Sequence, residues 1–286
     1  HIPPSDETPN ISWSNELALH VVELKTDEPV ERLEGLATEF QANVDRVNAQ
    51  LEQFGAHLLP GAVHPWMDPI AEMRLWPHEA NPIYEAFDKI FNCKGHGWAN
   101  LQSTHINLPF SNEEEFGRLH AAIRMVLPLI PALAASSPIL DGRWSPIADQ
   151  RLEVYRRNSV RIPEAAGLVI PEPVFTRADY EQSIFQPLYT ALRPHDPEGI
   201  LQHEWANSRG CIARFMRGSI EIRVVDIQEC PAADLAVVAL ITAAVKAMYD
   251  ERWISYEEQK SYDVKTLHEV LLDTIRYAER TRIMSA

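Results

Sequence analysis

The chain has 286 residues, of which 45% are hydrophobic and 23% are charged, so it can bury a large core and is not an intrinsically disordered protein. Its 41 acidic residues against 26 lysines and arginines give a formal net charge of -15, which would repel a nucleic-acid backbone over most of the surface. The three cysteines are odd in number and form no CxxC pair, which favours a reducing cytoplasm over a disulfide framework.

The first predicted elements carry a pair of acidic residues and then a strong helix. Glu16 and Glu23 lie seven positions apart within residues 15–25. A helix would place both carboxylates on one face and a regular strand on opposite faces, so the spacing alone does not decide between the two. Apolar residues then recur every three or four positions over residues 36–54 and stop at Gly55. This pattern predicts an amphipathic helix that ends at a glycine.

The next region is irregular and leads into a strand. Residues 61–96 are rich in Pro, Trp and His, and we interpret them as a loop with one short helix near residues 84–90. Residues 101–110 alternate between apolar and polar side chains, which predicts a strand. The polar face of this strand carries Ser103, His105 and Asn107.

A helix is predicted directly after this strand. Ser111 and Glu114 have the spacing of a capping box, and the apolar period over residues 116–127 continues as a helix. Pro128 and Pro131 then disturb the helical pattern, because proline lacks the backbone N–H that a helix needs.

Residues 143–180 contain many Arg and Pro residues and little periodicity, which indicates an extended surface or substrate-side loop region with strand fragments. Residues 211–217 and 219–227 then predict a β-hairpin, in which Gly218 supplies the turn after Arg217.

The second strand of this hairpin alternates cleanly. One face carries Ile220, Ile222 and Val224, which can pack on a core, and the other carries Glu221 and Arg223. A carboxylate and a guanidinium two residues apart can bind a hard cation and a phosphate or carboxylate group, respectively. They can equally form an ordinary ion pair on a solvated sheet face, which this stretch alone favours.

The C-terminal part is predicted to be helical. Asp234 can cap a helix over residues 235–249, and the near-continuous Ala, Val, Leu and Ile content of this helix predicts deep burial. An amphipathic pattern recurs through Val264, Leu267, Leu271 and Ile275. Strands and helices come in runs instead of strict alternation, so the sequence predicts an α+β fold.

We expect one catalytic domain over residues 1–286, with a leading segment at residues 1–14 and a C-terminal helical segment at residues 253–286. The longest nearly apolar run, residues 125–140, is interrupted by prolines and is too short to span a bilayer comfortably, so we expect no transmembrane segment. No GxGxxG or GxxxxGK[ST] motif occurs, which argues against a Rossmann or P-loop nucleotide site.

Four side chains form a candidate metal set, because oxygen donors with one imidazole suit Mg²⁺ or Mn²⁺. They are Glu16, Glu23, His105 and Glu221. Each alone is a weak signal, since a lone strand histidine is more often a structural group and paired glutamates more often belong to a solvated face.

Several short pieces of sequence occur in a recognisable order. They are Asn15-Glu16-Leu17 with Val22-Glu23-Leu24-Lys25-Thr26, Val63-His64-Pro65-Trp66, Ser103-Thr104-His105-Ile106-Asn107, Ala134-Ala135-Ser136-Ser137-Pro138-Ile139, and Gly218-Ser219-Ile220-Glu221-Ile222-Arg223 with Asp226. In these pieces the chain resembles the glutamate-cysteine ligase family of the second type, over about residues 15–249. The wider relatives are carboxylate-amine ligases built like the catalytic domain of glutamine synthetase.

The resemblance implies a curved antiparallel sheet backed by helices, with ATP and divalent metals on the concave face. The family reaction transfers the γ-phosphoryl group of ATP to a carboxylate, and an amine then attacks the acyl phosphate to form an amide. By position, Glu16 and Glu23 look like ligands of one metal, while His105 and Glu221 look like ligands of a second. Arg223 looks like the cation that steadies the transferred phosphate, a role that suits phosphoryl transfer because that reaction needs charge neutralisation and alignment.

Two departures from the family pattern bear on these assignments. Relatives usually open with a strand of the form Gly-x-Glu-x-Glu, which this chain does not contain. Either that strand lies upstream of His1, or the chain is a degenerate member with impaired chemistry. Many relatives also carry a second histidine where this chain has Asn107, which weakens the inference that both positions bind metal.

Other arginines are candidates for binding anions. We assign Arg214 and Arg217, with Arg223, to the nucleotide phosphates, and Arg157 and Arg209 to the substrate carboxylate. A cluster of surface arginines explains them at least as well.

The sequence therefore predicts an ATP-dependent carboxylate-amine ligase of the glutamate-cysteine ligase type, in which Glu221 and Arg223 are catalytic. Its cofactors would be ATP and Mg²⁺ or Mn²⁺, and its partners would be small amino acid substrates, without nucleic acid or membrane. We expect a cytoplasmic protein, and a homo-oligomer is a base-rate expectation only. Two alternatives stay open: an inactive nucleotide- or amino acid-binding protein of the same fold, and a metal-dependent hydrolase that uses His64 and His105.

Overall fold

The computed structural model describes residues 1–283, and the strands in that range form three small antiparallel sheets. The strands are β1 (Ile11–Asn15), β2 (Val22–Thr26), β3 (Ser103–Pro109), β4 (Ile139–Leu140), β5 (Arg143–Trp144), β6 (Cys211–Arg214) and β7 (Ser219–Asp226). β1 pairs with β2, β4 pairs with β5, and the third sheet has the order β3-β7-β6.

Helices make up most of the remaining structure. They are α1 (Leu36–Leu51), α2 (Pro69–Glu72), α3 (Asn81–Phe91), α4 (His96–Ala99), α5 (Glu113–Val126), α6 (Ile130–Ala134), α7 (Gln150–Tyr155), α8 (Arg177–Tyr180), α9 (Gln186–Leu192), α10 (Pro231–Tyr249), α11 (Tyr256–Ser261) and α12 (Val264–Tyr277). This mixture of helices and antiparallel sheets confirms the predicted α+β class. A single curved sheet of the glutamine synthetase type stays a prediction.

The β1-β2 hairpin decides the conformation around the two N-terminal glutamates. Glu23 lies in β2 opposite Ser14, and Glu16 follows the last residue of β1. Both belong to a hairpin, not to a helix, so the two carboxylates are close in space because the chain reverses between them.

The three-stranded sheet confirms the two predicted polar-faced strands. Ile106 of β3 and Ile220, Ile222 and Val224 of β7 are buried in the main core. Gly218, whose φ is 60°, sits at the turn between β6 and β7, as predicted, because glycine adopts this left-handed conformation without a steric penalty.

α5 begins one residue later than the capping-box prediction requires. Its N-cap is Asn112, whose side chain accepts a hydrogen bond from the backbone N–H of Glu115 at 2.9 Å. The reciprocal bond runs from the N–H of Ser111 to the carboxylate of Glu115. The prediction that Ser111 and Glu114 form this pair is therefore wrong by one position, while the disturbance by prolines after residue 126 is confirmed.

α10 corrects two predictions. It begins at Pro231, so Asp234 is not its cap, and the Asp234 carboxylate instead accepts hydrogen bonds from Thr104 and from the N–H of Gln228. Deep burial is also wrong, because only 22% of its apolar stretch is buried and Leu240 is 52% exposed. Alanine-rich apolar composition permits burial but does not require it, and one face of α10 packs on α5 and α1.

Two helical stretches, Glu113–Ala134 and Pro231–Tyr249, are long and apolar enough to cross a membrane by length and composition alone. The first is 72% buried inside the protein, where it contributes to the main core.

Residues 143–180 are more ordered than the sequence indicated. They contain β5, α7 and α8, and the side chain of Arg151 in α7 is completely enclosed, with 1% exposure. Its guanidinium forms an ion pair with Asp226 at the end of β7, a partner 75 positions away that local periodicity does not reveal. The prediction of a surface loop with strand fragments is therefore wrong for residues 150–155, which form α7, whereas β5 is one of the predicted strand fragments.

The buried apolar residues form three clusters. The largest joins β7 to α5, α10 and α12, and a second lies around α3 and α9. The third is small and consists of Ile11 and Trp13 from β1 with Leu36 and Val47 from α1, which confirms the predicted amphipathic helix.

Candidate functional site

Glu221 is the central charged group on the polar side of β7. Its side chain is 6% exposed, and its two carboxylate oxygens accept hydrogen bonds from Arg223 Nε at 2.6 Å and Arg214 Nη1 at 2.9 Å. Burial opposes its ionisation, but Arg223, His105 and Arg214 outweigh that effect and lower the pKa of Glu221 to about 2. The carboxylate is therefore ionised and held between two guanidinium groups.

Arg223 is held by two side chains and by a backbone carbonyl oxygen, that of Asn207, which accepts from its Nη1 at 3.4 Å. Its Nε donates to Glu221, and Tyr155 of α7 lies next to it as a hydrogen-bonding neighbour. Burial by itself would lower the pKa of Arg223, but Glu221 and Tyr155 reverse that effect and raise it. Arg223 therefore keeps its positive charge in the site.

His105 lies beside Glu221 on the neighbouring strand. Its Nδ1 is 3.7 Å from Glu221 Oε1, and its Nε2 is 2.8 Å from the hydroxyl oxygen of Ser103. The surrounding protein and the charge of Arg223 lower the pKa of His105 to about 4, although Glu221 acts in the opposite direction. The imidazole is therefore neutral at pH 7, the form that can bind a metal.

Glu16 faces the same region from the β1-β2 hairpin. Desolvation by the surrounding protein and the negative charge of Glu23 raise the pKa of Glu16 to about 7, while Arg223 acts to lower it. Glu16 and His105 are both exposed to solvent, although desolvation by the surrounding protein shifts the pKa of each. The charge of Glu23 also acts to raise the pKa of His105, so the second glutamate lies in the same region as this histidine.

In each predicted metal pair one carboxylate already has a cationic partner, since Lys25 Nζ lies 3.2 Å from Glu23 Oε2 and two arginines contact Glu221. Glu16 and Glu23 repel each other, and a bound cation would relieve that repulsion. Glu221 already has two arginine partners, which compete with any metal for its oxygens. No group of three or more His, Cys, Asp or Glu side chains within residues 1–283 could hold a metal ion by itself. The residues suit an ion that takes one or two carboxylates and completes its shell with phosphate and water.

The remaining predicted arginines lie in different surroundings. Arg214 belongs to the site through Glu221, and Arg217 is exposed in the turn that precedes Gly218. Arg157 has a side chain that is 67% exposed and pairs with Glu153 of α7.

Arg209 is committed to internal partners. Its Nε and Nη2 donate to Glu172 at 2.6 and 2.7 Å, and its Nη1 donates to the carbonyl oxygen of Glu164 at 3.0 Å. The side chain is 4% exposed. This geometry gives its assignment to substrate binding no support, and that assignment stays a prediction.

α7 supplies two side chains that contact the strand β7, in roles that the sequence did not predict. Arg151 and Tyr155 lie four positions apart on one face of the helix, where Arg151 contacts Asp226 and Tyr155 contacts Arg223. The Tyr155 hydroxyl also donates to the carbonyl oxygen of Ser208 at 2.8 Å. The sequence contains one signal of this contact. Asp226 occupies a core-facing position of the alternating strand, where an apolar residue is usual, and a buried carboxylate there needs a partner.

Comparison with known proteins gives a family match over nearly the whole chain. A family model described as glutamate-cysteine ligase family 2 (GCS2) matches residues 9–285. An "Uncharacterized protein" of Archaeoglobus fulgidus is 40% identical over 236 residues, which cover 82% of this chain and 63% of that protein. The "Putative glutamate--cysteine ligase 2-3" of Rubrobacter xylanophilus is 30% identical over 153 residues, covering 52% and 39% of the two chains.

A more distant relative covers a larger part of the sequence. The "Putative glutamate--cysteine ligase 2" of Corynebacterium glutamicum is 23% identical over 258 residues, which cover 88% of this chain and 61% of that protein. The matched region thus spans less than two thirds of each of these three relatives.

Proposed function

The chain belongs to glutamate-cysteine ligase family 2, and from this membership we propose that it is an ATP-dependent carboxylate-amine ligase. In the proposed reaction a substrate carboxylate oxygen attacks the γ-phosphorus of ATP, and ADP leaves. The amine nitrogen then attacks the acyl phosphate, so that inorganic phosphate leaves with its oxygen and an amide bond forms. Glutamate and cysteine, which appear in the names of two of the relatives, are the first substrates to test.

The observation that carries this proposal is the charged arrangement on β3 and β7. Glu221 fixes Arg223 on β7, with neutral His105 beside them. The Nε of Arg223 donates to Glu221 and its Nη1 donates to the carbonyl oxygen of Asn207 at 3.4 Å, so a phosphate group would be contacted by the guanidinium N–H groups that these bonds do not use. Phosphoryl transfer depends on this kind of preorganised positive charge, because charge moves onto phosphate oxygens in the transition state.

Glu16 and Glu23 would hold the divalent cation in this proposal. A bound Mg²⁺ supplies charge neutralisation for the phosphates of ATP. Arg214 steadies Glu221 from the opposite side of Arg223, and Tyr155 orients Arg223 from α7. The same proposal includes a curved glutamine synthetase-like sheet and a cytoplasmic location. It also includes contacts of Arg217 with phosphate and of Arg157 with substrate.

The test is ADP release by the whole chain with ATP, Mg²⁺ or Mn²⁺, and a panel of amino acids and amines. We expect release that requires both the metal and an amino acid. Glu221→Gln should lower kcat by about a hundredfold or more, because it loosens the hold on Arg223. Glu198→Gln, which changes an exposed glutamate in another part of the chain, is the matched control and should keep full activity.

Two other outcomes would contradict the ligase proposal. Nucleotide binding without ADP release under any substrate combination would indicate an inactive binding protein. Metal-dependent turnover of a substrate in the absence of ATP would indicate a hydrolase.

A further inference from the structure

A surface cavity of about 480 Å³ lies outside the Glu221 site. Three segments form its walls: the loop and helix start from Trp66 to Ile70, the segment from Lys94 to His96, and the turn at Asp141 and Gly142 between β4 and β5. None of the residues assigned above to metal, phosphate or substrate lines this cavity.

Hydrogen bonds tie these walls to one another. The N–H of Gly142 donates to the carbonyl oxygen of Pro65 at 2.7 Å, which fixes the turn against the loop. Asn100 is fully buried, and its side chain accepts from the N–H of His64 at 2.7 Å and donates to the carbonyl oxygen of His64 at 2.9 Å. The same amide nitrogen lies 3.1 Å from His96 Nδ1. The cavity is thus largely preformed, as small-molecule sites usually are.

Two large apolar side chains remain uncovered at this preformed cavity. Trp66 is 70% exposed and Ile70 is 73% exposed. The ring of His64 packs edge-on against Trp66, with 5.3 Å between the ring centroids. An indole that is supported on one side and open on the other presents a flat face for stacking.

The cavity lining carries one lysine, Lys94, and two carboxylates, those of Asp68 and Asp141. Lys94 is exposed at the wall and forms no ion pair with any group in residues 1–283, in a protein whose net charge is -15. The carboxylate of Asp141 is occupied by His96 Nε2 at 3.1 Å, and that of Asp68 by the N–H groups of Ile70 and Ala71. Lys94 can therefore contact a negatively charged group of a ligand, while a planar ring can stack on Trp66.

The chain that supports the cavity continues into β3, which carries His105. Asn100 forms part of its supporting wall, and β3 begins three residues later. His105 is five residues after Asn100, so the two Cα atoms lie within about 18 Å even if the chain between them is fully extended.

We propose that this cavity binds the purine ring of a nucleoside triphosphate, with the ring stacked on Trp66 and a phosphate oxygen contacting Lys94. This assignment rests on the proposed ATP-dependent function and adds the place where the base is held. The ring accounts for the exposed indole and the phosphate accounts for the free lysine.

The experiment compares two ligands by isothermal titration calorimetry of the whole chain in Mg²⁺: ATP, and tripolyphosphate, which lacks the ring. Trp66→Ala should weaken ATP binding by about tenfold, the value of a lost base-stacking contact, and leave tripolyphosphate binding within twofold. Trp66→Phe should restore most of the ATP affinity. Lys94→Gln should weaken both ligands. Trp253→Ala removes another exposed tryptophan and should change neither.

The results separate failure of this site from failure of the proposed function. If Trp66→Ala binds ATP as tightly as the unchanged chain, or if it weakens both ligands equally, the stacking site is wrong while nucleotide binding stands. If the unchanged chain binds neither ATP nor tripolyphosphate, the nucleotide-dependent function fails together with the site.

Discussion

At the scale of single residues, His120 of α5 shows how burial sets a charge state outside the candidate site. The side chain is completely buried, lies against the ring of Phe116 and donates from Nδ1 to the carbonyl oxygen of Val174 at 2.8 Å. Burial and the nearby charge of Arg124 lower the pKa of His120 to about 3. The folded protein therefore keeps this imidazole neutral at pH values where an exposed histidine would be protonated.

This difference predicts a loss of stability in mild acid. The unfolded chain takes up a proton at His120 near pH 6.5, whereas the folded chain does so only near pH 3. Stability from the neutral group is present above pH 6.5 and is lost as the pH falls below it, by about 2 kcal/mol between pH 7 and pH 5. Urea unfolding at both pH values should show this loss, and His120→Gln should reduce it.

His195→Gln is the matched control, because it replaces an exposed histidine instead of a buried one. An equal slope for the unchanged chain and for His120→Gln would contradict the assignment of this acid sensitivity to His120.

At the scale of elements, α10 offers a direct measure of which apolar residues support the fold. Leu240 and Ile241 are adjacent and similar in size, but Leu240 is 52% exposed and Ile241 is completely buried in the main core. We expect Ile241→Ala to lower the free energy of unfolding by about 2–5 kcal/mol, because it removes buried methylene groups and leaves a cavity.

The companion substitution Leu240→Ala should cost much less, within about 0.5–1 kcal/mol, since its side chain is already half in water. Chemical denaturation of both variants gives the comparison, and helix propensity cancels approximately because both changes end at alanine. Equal losses would mean that the exposed face of α10 is covered by protein in solution.

The elements also show what sequence patterns can and cannot predict here. The period of α1 and the alternation of β3 and β7 are local properties, because each buried face repeats along a single element. The partners of charged groups are not local: Arg151 meets Asp226 across 75 positions, and Thr104 meets Asp234 across 130. The alternation of β7 therefore predicts that Glu221 and Arg223 share one face of the strand. The contacts that α7 makes with Asp226 and Arg223 become visible only in the folded structure.

The same distinction explains the error at α10. Its composition is uniformly apolar, so its sequence does not reveal which side faces the core and which faces solvent. The burial of that helix depends on where α5 and α1 contact it, and those helices are distant in the chain.

At the scale of the whole molecule, the candidate site joins a strongly packed part to a weakly packed part. β7 lies in the largest apolar cluster together with α5, α10 and α12. β1 and α1 share a small cluster whose buried members are Ile11, Trp13, Leu36 and Val47, and this layer carries Glu16 and Glu23. Local opening is easiest where few apolar contacts must be broken, so the two sides of the site should differ in stability.

Native-state hydrogen exchange should show this difference directly. We expect amides of β1 and β2 to exchange at least about tenfold faster than those of β7. A tenfold ratio means that opening the small cluster requires about 1.4 kcal/mol less free energy than opening the large one.

If Glu16 and Glu23 bind a cation, saturating Mg²⁺ with ATP should slow exchange in β1 and β2 much more than in β7, because the ion stabilises only conformations in which both carboxylates are in place. Equal exchange rates in β1 and β7 without ligand would contradict the unequal packing. If the rates differ but Mg²⁺ and ATP do not change them, the β1-β2 hairpin does not bind the metal. The measurement therefore tests the packing and the proposed chemistry of this layer separately.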